Sequence, residues 1–291
     1  MSGPGAQHPY SGAEAAMATR HGKHQVVGPA LAAGVGLRLV LAEDVDTDRL
    51  GTFTGEIPRP GTPVETAFRK ARLALEATGL NCAVASEGSF GPHPLAPLLP
   101  CGQELLVFLD AERGLHVVER GITPTNFAHH ISTGLDAPTR AFCDRVGFGS
   151  HALIVRPHTP VENQSPPLHK GIQEAAALAE AIAECAEASA CGRARLETDM
   201  RAHLNPTRMQ QIGILADGLA ARLATLCPAC AAPGYGVIDR EGGLPCGLCG
   251  TPTEWHRALV HGCARCPHRT VLPRDDGLTR ADPAHCPSCN P

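Results

Sequence analysis

Residues 62–86 read TPVETAFRKARLALEATGLNCAVAS and contain the signals of a helix followed by a strand. Thr62 suits the N-cap of the helix, Pro63 its first position, and Glu65 completes a T-x-x-E capping box. Gly79 ends the helix, and the apolar run that follows predicts a buried strand. This order of elements is typical of an α/β fold, in which helices cover a sheet.

Similar signals occur on both sides of this unit. Apolar runs at 36–43, 151–157 and 193–200 predict further strands. Two short strand patterns joined by a tight turn predict a hairpin over 104–120. Because helices separate most of the strands, we expect an α/β fold with a mixed, largely parallel sheet and helices on both faces. The further helices are predicted at 23–33, 168–190 and 205–226, and Asn205 caps the last of them.

Three segments of different character follow one another along the chain. Residues 1–16 are left without an assigned element and are predicted to be disordered. Residues 17–226 hold the helix and strand signals of the α/β domain. Residues 227–291 contain regularly spaced cysteines among many Pro and Gly residues, which predicts a small C-terminal domain with two zinc ribbons.

Charge and composition exclude several classes of protein. Apolar residues make up 43% of the chain, which is typical of a globular protein. The formal net charge of −4 predicts no general attraction to nucleic acid or anionic lipid. The sequence has no run of about 18 apolar residues, and its first residues lack the pattern of a signal peptide. We therefore predict a cytoplasmic protein that has no membrane partner.

Eight of the 13 cysteines form four CxxC pairs. Fifteen residues separate Cys230 from Cys246 and nineteen separate Cys266 from Cys286, so both halves fit the C-x₂-C-x₁₅₋₂₀-C-x₂-C pattern of zinc sites. Two CxxC turns supply four thiolates, which leave no open position for a substrate, so both zinc ions are expected to be structural. The expected ligands are Cys227, Cys230, Cys246, Cys249, Cys263, Cys266, Cys286 and Cys289.

The order in which the four pairs combine is left open by the spacing. Consecutive pairing joins the first pair to the second and the third to the fourth, and it is the simpler expectation. Interleaved pairing is the alternative.

The partner of the cysteine-rich segment is also open. This segment has about as many acidic residues as arginines. The four negative charges of the thiolates at one site exceed the two positive charges of its Zn²⁺, so each site carries a net negative charge. Trp255 and Tyr235 are its only aromatic residues, which are few for stacking on bases. A protein partner and a nucleic-acid partner are both compatible with the sequence.

Polar residues collect where the predicted strands of the larger domain end. Five stretches share this position, and they combine acids with bases and often contain Gly. Such a mixture suits a phosphorylated small molecule bridged by Mg²⁺, since carboxylates bind the ion while cations and helix N-termini bind phosphate. The alternative for each stretch is a solvated, capping or salt-bridged role in the fold. The stretches are 19–23, 52–59, 87–93, 147–151 and 197–208.

Several sequence blocks resemble those of an uncharacterised bacterial family, a domain of unknown function with C-terminal CxxC zinc ribbons. The resemblance covers residues 17–291 and implies no activity, because none is established for that family. The blocks are ATRHGK at 18–23, GTFTGEIPR at 51–59, ASEGSFGPHP at 85–94, SHALIVRP at 150–157 and ETDMRAHLNPTRM at 197–209.

The order of these blocks also resembles that of the inosine/xanthosine triphosphate pyrophosphatases. In that group a T-x-N-x-x-K turn opens the first helix, a helix carries K-A-x-x-A, and an acidic turn follows the next strand. The corresponding stretches here are 19–23, 70–74 and 86–90, with His21 in place of the Asn and one acid missing from the turn. The resemblance implies that Glu56 and Glu87 hold Mg²⁺, that Lys23 and Lys70 contact phosphate, and that a metal-held water attacks.

The leading hypothesis from the sequence is a Mg²⁺-dependent phosphohydrolase or nucleotide-binding protein with structural zinc ribbons. The alternative is a non-catalytic zinc-ribbon adaptor that binds a protein or nucleic-acid partner. The candidate catalytic residues are Glu56, Glu87 and Lys70. The candidate substrate-binding residues are Arg20, Lys23, Glu197, Asp199, Arg201 and Arg208.

Overall fold

The computed structural model describes residues 8–43, 45, 61–93, 96–163 and 165–291. Three sheets and five α-helices are formed within these ranges. The strands are β1 Glu14–Met17, β2 Arg38–Leu41, β3 Cys82–His93, β4 Ala96–Asp110, β5 Leu115–Thr123, β6 His129–Ser132, β7 Leu153–Pro157, β8 His169–Ile172, β9 Ala194–Thr198, β10 Gly236–Glu241, β11 Ala258–Gly262 and β12 Arg269–Pro273. The helices are α1 His24–Val35, α2 Pro63–Thr78, α3 Ala137–Val146, α4 Ala175–Glu187 and α5 Pro206–Ala224.

The largest sheet has five strands in the order β2-β1-β3-β4-β5. Strand β1 runs parallel to both of its neighbours, β2 and β3. The pairings of β3 with β4 and of β4 with β5 are antiparallel, and the second of them is the predicted hairpin. The predicted α/β class with a mixed sheet is therefore confirmed.

Helices cover both faces of this sheet, because its strands alternate between two apolar faces. Ala15 and Met17 of β1 pack in one core with Leu31 of α1 and Leu219 of α5. Ala16 points to the opposite face and packs against the alanines of α2. The α2 core is built largely from alanine, which lets that helix lie close to the sheet. The capping box predicted for α2 is present, since Thr62 N–H donates to Glu65 Oε2 at 2.8 Å.

Strand β3 is longer than the sequence predicts. Residues 87–93 were expected to form a loop after a strand at 80–86, but β3 continues to His93 and pairs with β4 along this length. The polar and Gly-rich composition of 87–93 suggests a loop when the segment is considered alone. It stays extended because β4 is long enough to hydrogen-bond with it, whereas β1 ends at Met17.

The first strand begins earlier than the boundary predicted at residue 17. Strand β1 starts at Glu14, and the Tyr10 ring is buried against Phe108 with centroids 5.0 Å apart. The Tyr10 hydroxyl donates to Asp110 Oδ2 at 2.9 Å. Residues 10–16 therefore belong to the main sheet and its core, and the boundary at residue 17 falls within β1.

A second sheet has four antiparallel strands in the order β6-β9-β7-β8. Helices α3 and α4 contribute Phe142 and Leu178 to a separate core with Leu153 and Leu196 of the sheet. The helix predicted at 168–190 begins only at Ala175, because the residues before it form β8 on the edge of this sheet. The predicted α/β domain of 17–226 thus contains two sheets with separate cores.

Strands β10, β11 and β12 form a small antiparallel sheet between the CxxC pairs. This C-terminal domain packs on the main sheet, where Ala232 is buried in the core shared by α1 and α5. The Arg222 side chain of α5 links the two parts, because it donates to Val118 O at 3.1 Å and to Gly234 O at 3.3 Å. None of the described helices is both long and apolar enough to cross a bilayer.

Candidate functional site

The eight cysteines of the CxxC pairs form two separate groups of four. Within each group the sulfur atoms all lie within 4.8 Å of one another. Individual Sγ–Sγ distances are 3.6 Å for Cys230–Cys263 and 3.9 Å for Cys246–Cys289. A tetrahedral site with Zn–S bonds of about 2.3 Å has sulfur–sulfur edges of about 3.8 Å. Both groups therefore have the donor set and the spacing of a four-thiolate metal site.

The pairing within these groups is interleaved, and the expectation of consecutive pairing was wrong. The first group is Cys227, Cys230, Cys263 and Cys266, and the second is Cys246, Cys249, Cys286 and Cys289. The antiparallel pairing of β10 with β11 sets Gly236 opposite Gly262, which brings the first CxxC turn to the third. A bridge between Cys246 and Ala281 brings the second to the fourth. The spacing motif could not reveal this, because β10–β11 pairing lies outside it.

Backbone amides stabilise the thiolate form in these turns. Cys263 Sγ accepts from the N–H groups of Arg265 and Cys266 at 3.2 and 3.3 Å. Cys246 Sγ accepts from Leu248 N–H at 3.3 Å. Hydrogen bonds from the backbone of Cys249 and Leu248 hold the pKa of Cys246 below its usual value. Thiolates are the form that binds a metal ion, so this geometry favours metal binding.

A second candidate site lies where β1 ends beside β3. Helix α1 follows β1 on one face of the sheet, and α2 precedes β3 on the other. From β1 the chain returns through α1 to β2 on one side, whereas β3 continues into β4 on the other, so the connections diverge at the carboxyl end of β1. Ligands of open α/β sheets bind at such a switch point. We name this region the β1–β3 crevice.

Lys23, the N-cap residue of α1, lies at the β1–β3 crevice. Only 6% of the residue is exposed, and its Nζ donates to Ser86 Oγ of β3 at 2.9 Å. Among the described residues, no carboxylate lies within ion-pair distance of Nζ. Burial, with repulsion from Arg208, lowers the pKa of Lys23 to about 7. Glu104 and Glu87 act on the amine only from beyond ion-pair distance, so no direct carboxylate partner offsets the cost of its burial.

Arg208 in the first turn of α5 forms a buried ion pair with Glu104 of β4. Arg208 Nε lies 2.6 Å from Glu104 Oε1, and both side chains are 1% exposed. The pair crosses over Gly88 of β3, where a Cβ atom would lie 2.5 Å from the guanidinium. The guanidinium also lies over the Phe90 ring at 5.1 Å, and Asn205 caps α5 by accepting from Arg208 N–H at 3.0 Å. These contacts fix the cation beside β3.

The opposite face of β3 carries a second ion pair at the same level. Glu87 alternates with Ser86 along the strand and pairs with Lys70 of α2. Both side chains are largely buried, at 4% and 13% exposure. Lys23 and Lys70 therefore approach the end of β1 from the two faces of the sheet, and their charges repel each other.

Two histidines and a further ion pair lie next to the crevice. The rings of His21 and His203 stack with centroids 5.0 Å apart. Burial, with repulsion from Lys23, lowers the pKa of His21 to about 3. Asp199 is fully buried and accepts hydrogen bonds from Arg201 on both oxygens, with Nε at 3.0 Å from Oδ1 and Nη2 at 2.6 Å from Oδ2. Asp199 thereby holds in place the loop that leads from β9 to α5.

Most of the candidate site residues from the sequence converge on the crevice, but not all of them do. Glu197 lies on the second sheet, where it pairs with Arg156 at 2.7 Å. Arg20 is an exposed residue of the turn between β1 and α1. Glu56 lies outside the described residues, so its predicted role stays untested. The residues that converge are Lys23, Lys70, Glu87, Asp199, Arg201 and Arg208.

Sequence reasoning missed Ser86 and Glu104. Glu104 alternates with Leu106 and Phe108, which face the core of α1 and α5, and a carboxylate in that series is a detectable anomaly. Ser86 has no such signal, because serine is common at the end of a strand. The stretch 147–151 contacts the start of α5, where His151 Nε2 lies 2.9 Å from Thr207 Oγ1. The sequence alone does not indicate this contact.

Among the described residues, the carboxylates around the crevice are not grouped as a magnesium site. Mg²⁺ is usually held by one or two carboxylates together with phosphate oxygens and water. Each carboxylate that the structure describes here already faces a cation: Glu87 faces Lys70, Glu104 faces Arg208, and Asp199 faces Arg201. These residues fit an anionic ligand better than a divalent cation.

A family model described as "Domain of unknown function (DUF6671)" matches residues 70–291. The chain belongs to this family. The DUF6671 match includes all eight ligand-spaced cysteines together with Lys70, Glu87, Glu104 and Arg208, whereas Lys23 precedes it. No curated protein and no solved structure matches the chain, so the resemblance to the triphosphate pyrophosphatases stays a hypothesis.

The buried lysine of this DUF6671 protein predicts a pH dependence of stability. Because the pKa of Lys23 falls from 10.5 to about 7 on folding, the unfolded chain binds more protons than the folded one between these values. Stability should therefore rise with pH across this window, with the full penalty present below pH 7. Urea unfolding of the zinc-loaded protein across the window measures the rise, which should be smaller in Lys23→Met. Equal slopes in the two proteins would contradict this account.

Proposed function

We propose that this protein binds a phosphorylated small molecule in the β1–β3 crevice and carries two structural zinc ions in its C-terminal domain. The observation that carries the first part is Lys23, a buried lysine for which the described residues supply a hydroxyl and no carboxylate. The second part rests on the two four-cysteine groups.

The charge balance of the crevice supports an anionic ligand. Lys23, Lys70 and Arg208 place three cationic groups near one another, while Glu87 and Glu104 supply two carboxylates. A phosphate group bound beside Lys23 would offset the remaining positive charge. It would also raise the pKa of Lys23, because an opposite charge nearby favours the protonated amine.

The same arrangement favours phosphoanhydride hydrolysis as the reaction to assay. Catalysis of phosphoryl transfer relies mainly on positioning and on stabilising negative charge. Lys23 and Arg208 are held rigidly enough for both, since each is buried and hydrogen-bonded. These side chains would bind and orient the phosphate groups.

Substitution of Lys23 tests the binding proposal. Lys23→Met keeps the length of the side chain and removes its charge, so we expect pyrophosphate binding to weaken by about tenfold or more, equivalent to about 1.4 kcal/mol. Isothermal titration calorimetry on the zinc-loaded protein measures the dissociation constant. Lys170→Met is the matched control, because Lys170 is exposed on the second sheet and should leave affinity unchanged.

Equal affinity of the wild type and Lys23→Met for pyrophosphate would contradict the proposal. Absence of binding and turnover across a panel of nucleoside triphosphates would favour the alternative from the sequence, a non-catalytic adaptor. A sulfate titration adds an independent check, because the charge of sulfate is constant near neutral pH. Sulfate should bind more weakly as the pH rises above 7, since the Lys23 amine is then increasingly neutral.

A further inference from the structure

A cavity of about 570 Å³ lies on the α2 face of the main sheet, next to the Glu87–Lys70 pair. Pro63 and Val64 at the start of α2 form one wall, and β3, β4 and β5 form the floor. Its size is within the range of small-molecule sites. The C-terminal domain also contributes to the lining, through Arg240 of β10.

Cross-strand pairing sets the floor of this cavity in two rows. One row runs from Glu87 of β3 to Leu105 of β4 and Arg120 of β5. The next row contains Ser89, Gln103 and Ile122 in the same strand order. Neighbouring strands are about 4.8 Å apart and alternate residues of a strand about 7 Å apart. The cavity therefore begins one strand away from Glu87, at the edge of the β1–β3 crevice.

Two arginines from different parts of the chain line the cavity. Arg120 comes from β5 and Arg240 from the zinc domain, and both also line a second cavity of about 570 Å³ between β5 and β10. Neither side chain has a carboxylate partner within the part of the chain that the structure describes. Exposed arginines usually need none. Two arginines that border the same cavity can both bind one ligand, since each guanidinium can pair with an anion or stack on the face of a planar ring.

The apolar part of the lining favours a ring over a second simple anion. Ile122 is 55% exposed on the cavity floor, beside the buried Leu105. Ser89 and Gln103 add hydrogen-bonding groups at the same level. Guanidinium groups stack on flat rings as well as binding anions. The lining thus combines an apolar floor, two stacking cations and polar groups at the edge.

We propose that this cavity holds the organic part of the phosphorylated ligand, a planar ring, and that Arg240 makes the zinc domain part of the binding site. The inference rests on the proposed function, since it needs the phosphate group in the crevice. The phosphate would lie between Lys23 and Lys70, and the ring would lie over Ile122 between Arg120 and Arg240.

The test compares two ligands and three variants. Pyrophosphate reaches only the crevice, whereas ATP, used as a ring-bearing probe, reaches the cavity as well. Arg240→Ala should weaken ATP binding by about tenfold and leave pyrophosphate affinity unchanged. Arg269→Ala is the matched control, because it removes the same charge from β12, away from both cavities. Lys23→Met should weaken both ligands.

The outcomes separate this inference from the proposed function. Equal ATP affinity in Arg240→Ala and the wild type, with both ligands weakened by Lys23→Met, would overturn the cavity and leave the phosphate site standing. Unchanged binding of both ligands in Lys23→Met would overturn the phosphate site. Weakening of pyrophosphate by Arg240→Ala would also contradict the inference, because it would indicate a general charge effect. Zinc content and circular dichroism establish that each variant is folded.

Discussion

Replacing Cys230 together with Cys249 by serine should remove both zinc ions, whereas replacing Cys230 together with Cys263 should leave one. The first pair of substitutions damages both four-cysteine groups, and the second damages only one. With consecutive pairing, Cys230 and Cys249 would belong to the same site, so the first double variant would lose one zinc ion and keep the other. Zinc per chain, measured by plasma mass spectrometry after dialysis, distinguishes the two arrangements.

The effect on the C-terminal domain should be large. Structural zinc contributes about 10–16 kcal/mol of apparent binding energy at neutral pH, and the small β10–β12 sheet has little core of its own. Loss of both ions should unfold this domain and expose the edge of β5. Cys191→Ser is the control, since Cys191 is exposed, lies between α4 and β9, and belongs to neither four-cysteine group. Retention of one ion by the Cys230/Cys249 variant would refute interleaved pairing.

Arg208→Met in α5 should destabilise the main sheet strongly, because it breaks the buried ion pair with Glu104 of β4. It leaves the Glu104 carboxylate buried at 1% exposure without its guanidinium partner. Breaking a buried pair by removing one partner costs about 3–5 kcal/mol. Urea denaturation followed by circular dichroism, with zinc present, measures the loss as a lower midpoint.

A double substitution and a surface pair control this prediction. Glu104→Leu with Arg208→Met removes both charges, so it should recover part of the loss, because no unpaired ion remains. Arg257→Met breaks an exposed pair with Glu241, and it should cost less than about 1 kcal/mol. If Arg208→Met costs no more than Arg257→Met, the buried pair does not stabilise the fold.

The local signals in the sequence predicted most elements of the fold. The capping box at Thr62 and Glu65 and the cap at Asn205 correctly predicted helices α2 and α5, because capping depends on neighbouring residues alone. Strand β3 was predicted too short, and β8 was assigned to a helix. Both errors concern segments whose conformation depends on a distant partner strand, β4 for the first and β7 for the second.

The candidate site was predictable to a similar extent. The stretch that carries Lys23 lies at the carboxyl end of the parallel strand β1, where the rule for such sheets places a site. Glu87 lies within β3 and Arg208 follows β9 of the second sheet, so this rule does not account for their positions. Their individual partners were not predictable. Which carboxylate faces Arg208 depends on the alternation of β4, and which hydroxyl faces Lys23 depends on the register of β1 against β3.

The interleaved order of the CxxC turns also constrains how the C-terminal domain assembles. The first group cannot close before the third CxxC turn has been synthesised, and by then the second turn lies inside the loop that closure forms. Closing that loop shortens the stretch of free chain that must be ordered for the second group, which lowers the entropy cost of its closure. The two metal ions should therefore load cooperatively, and half-loaded protein should be scarce at substoichiometric zinc.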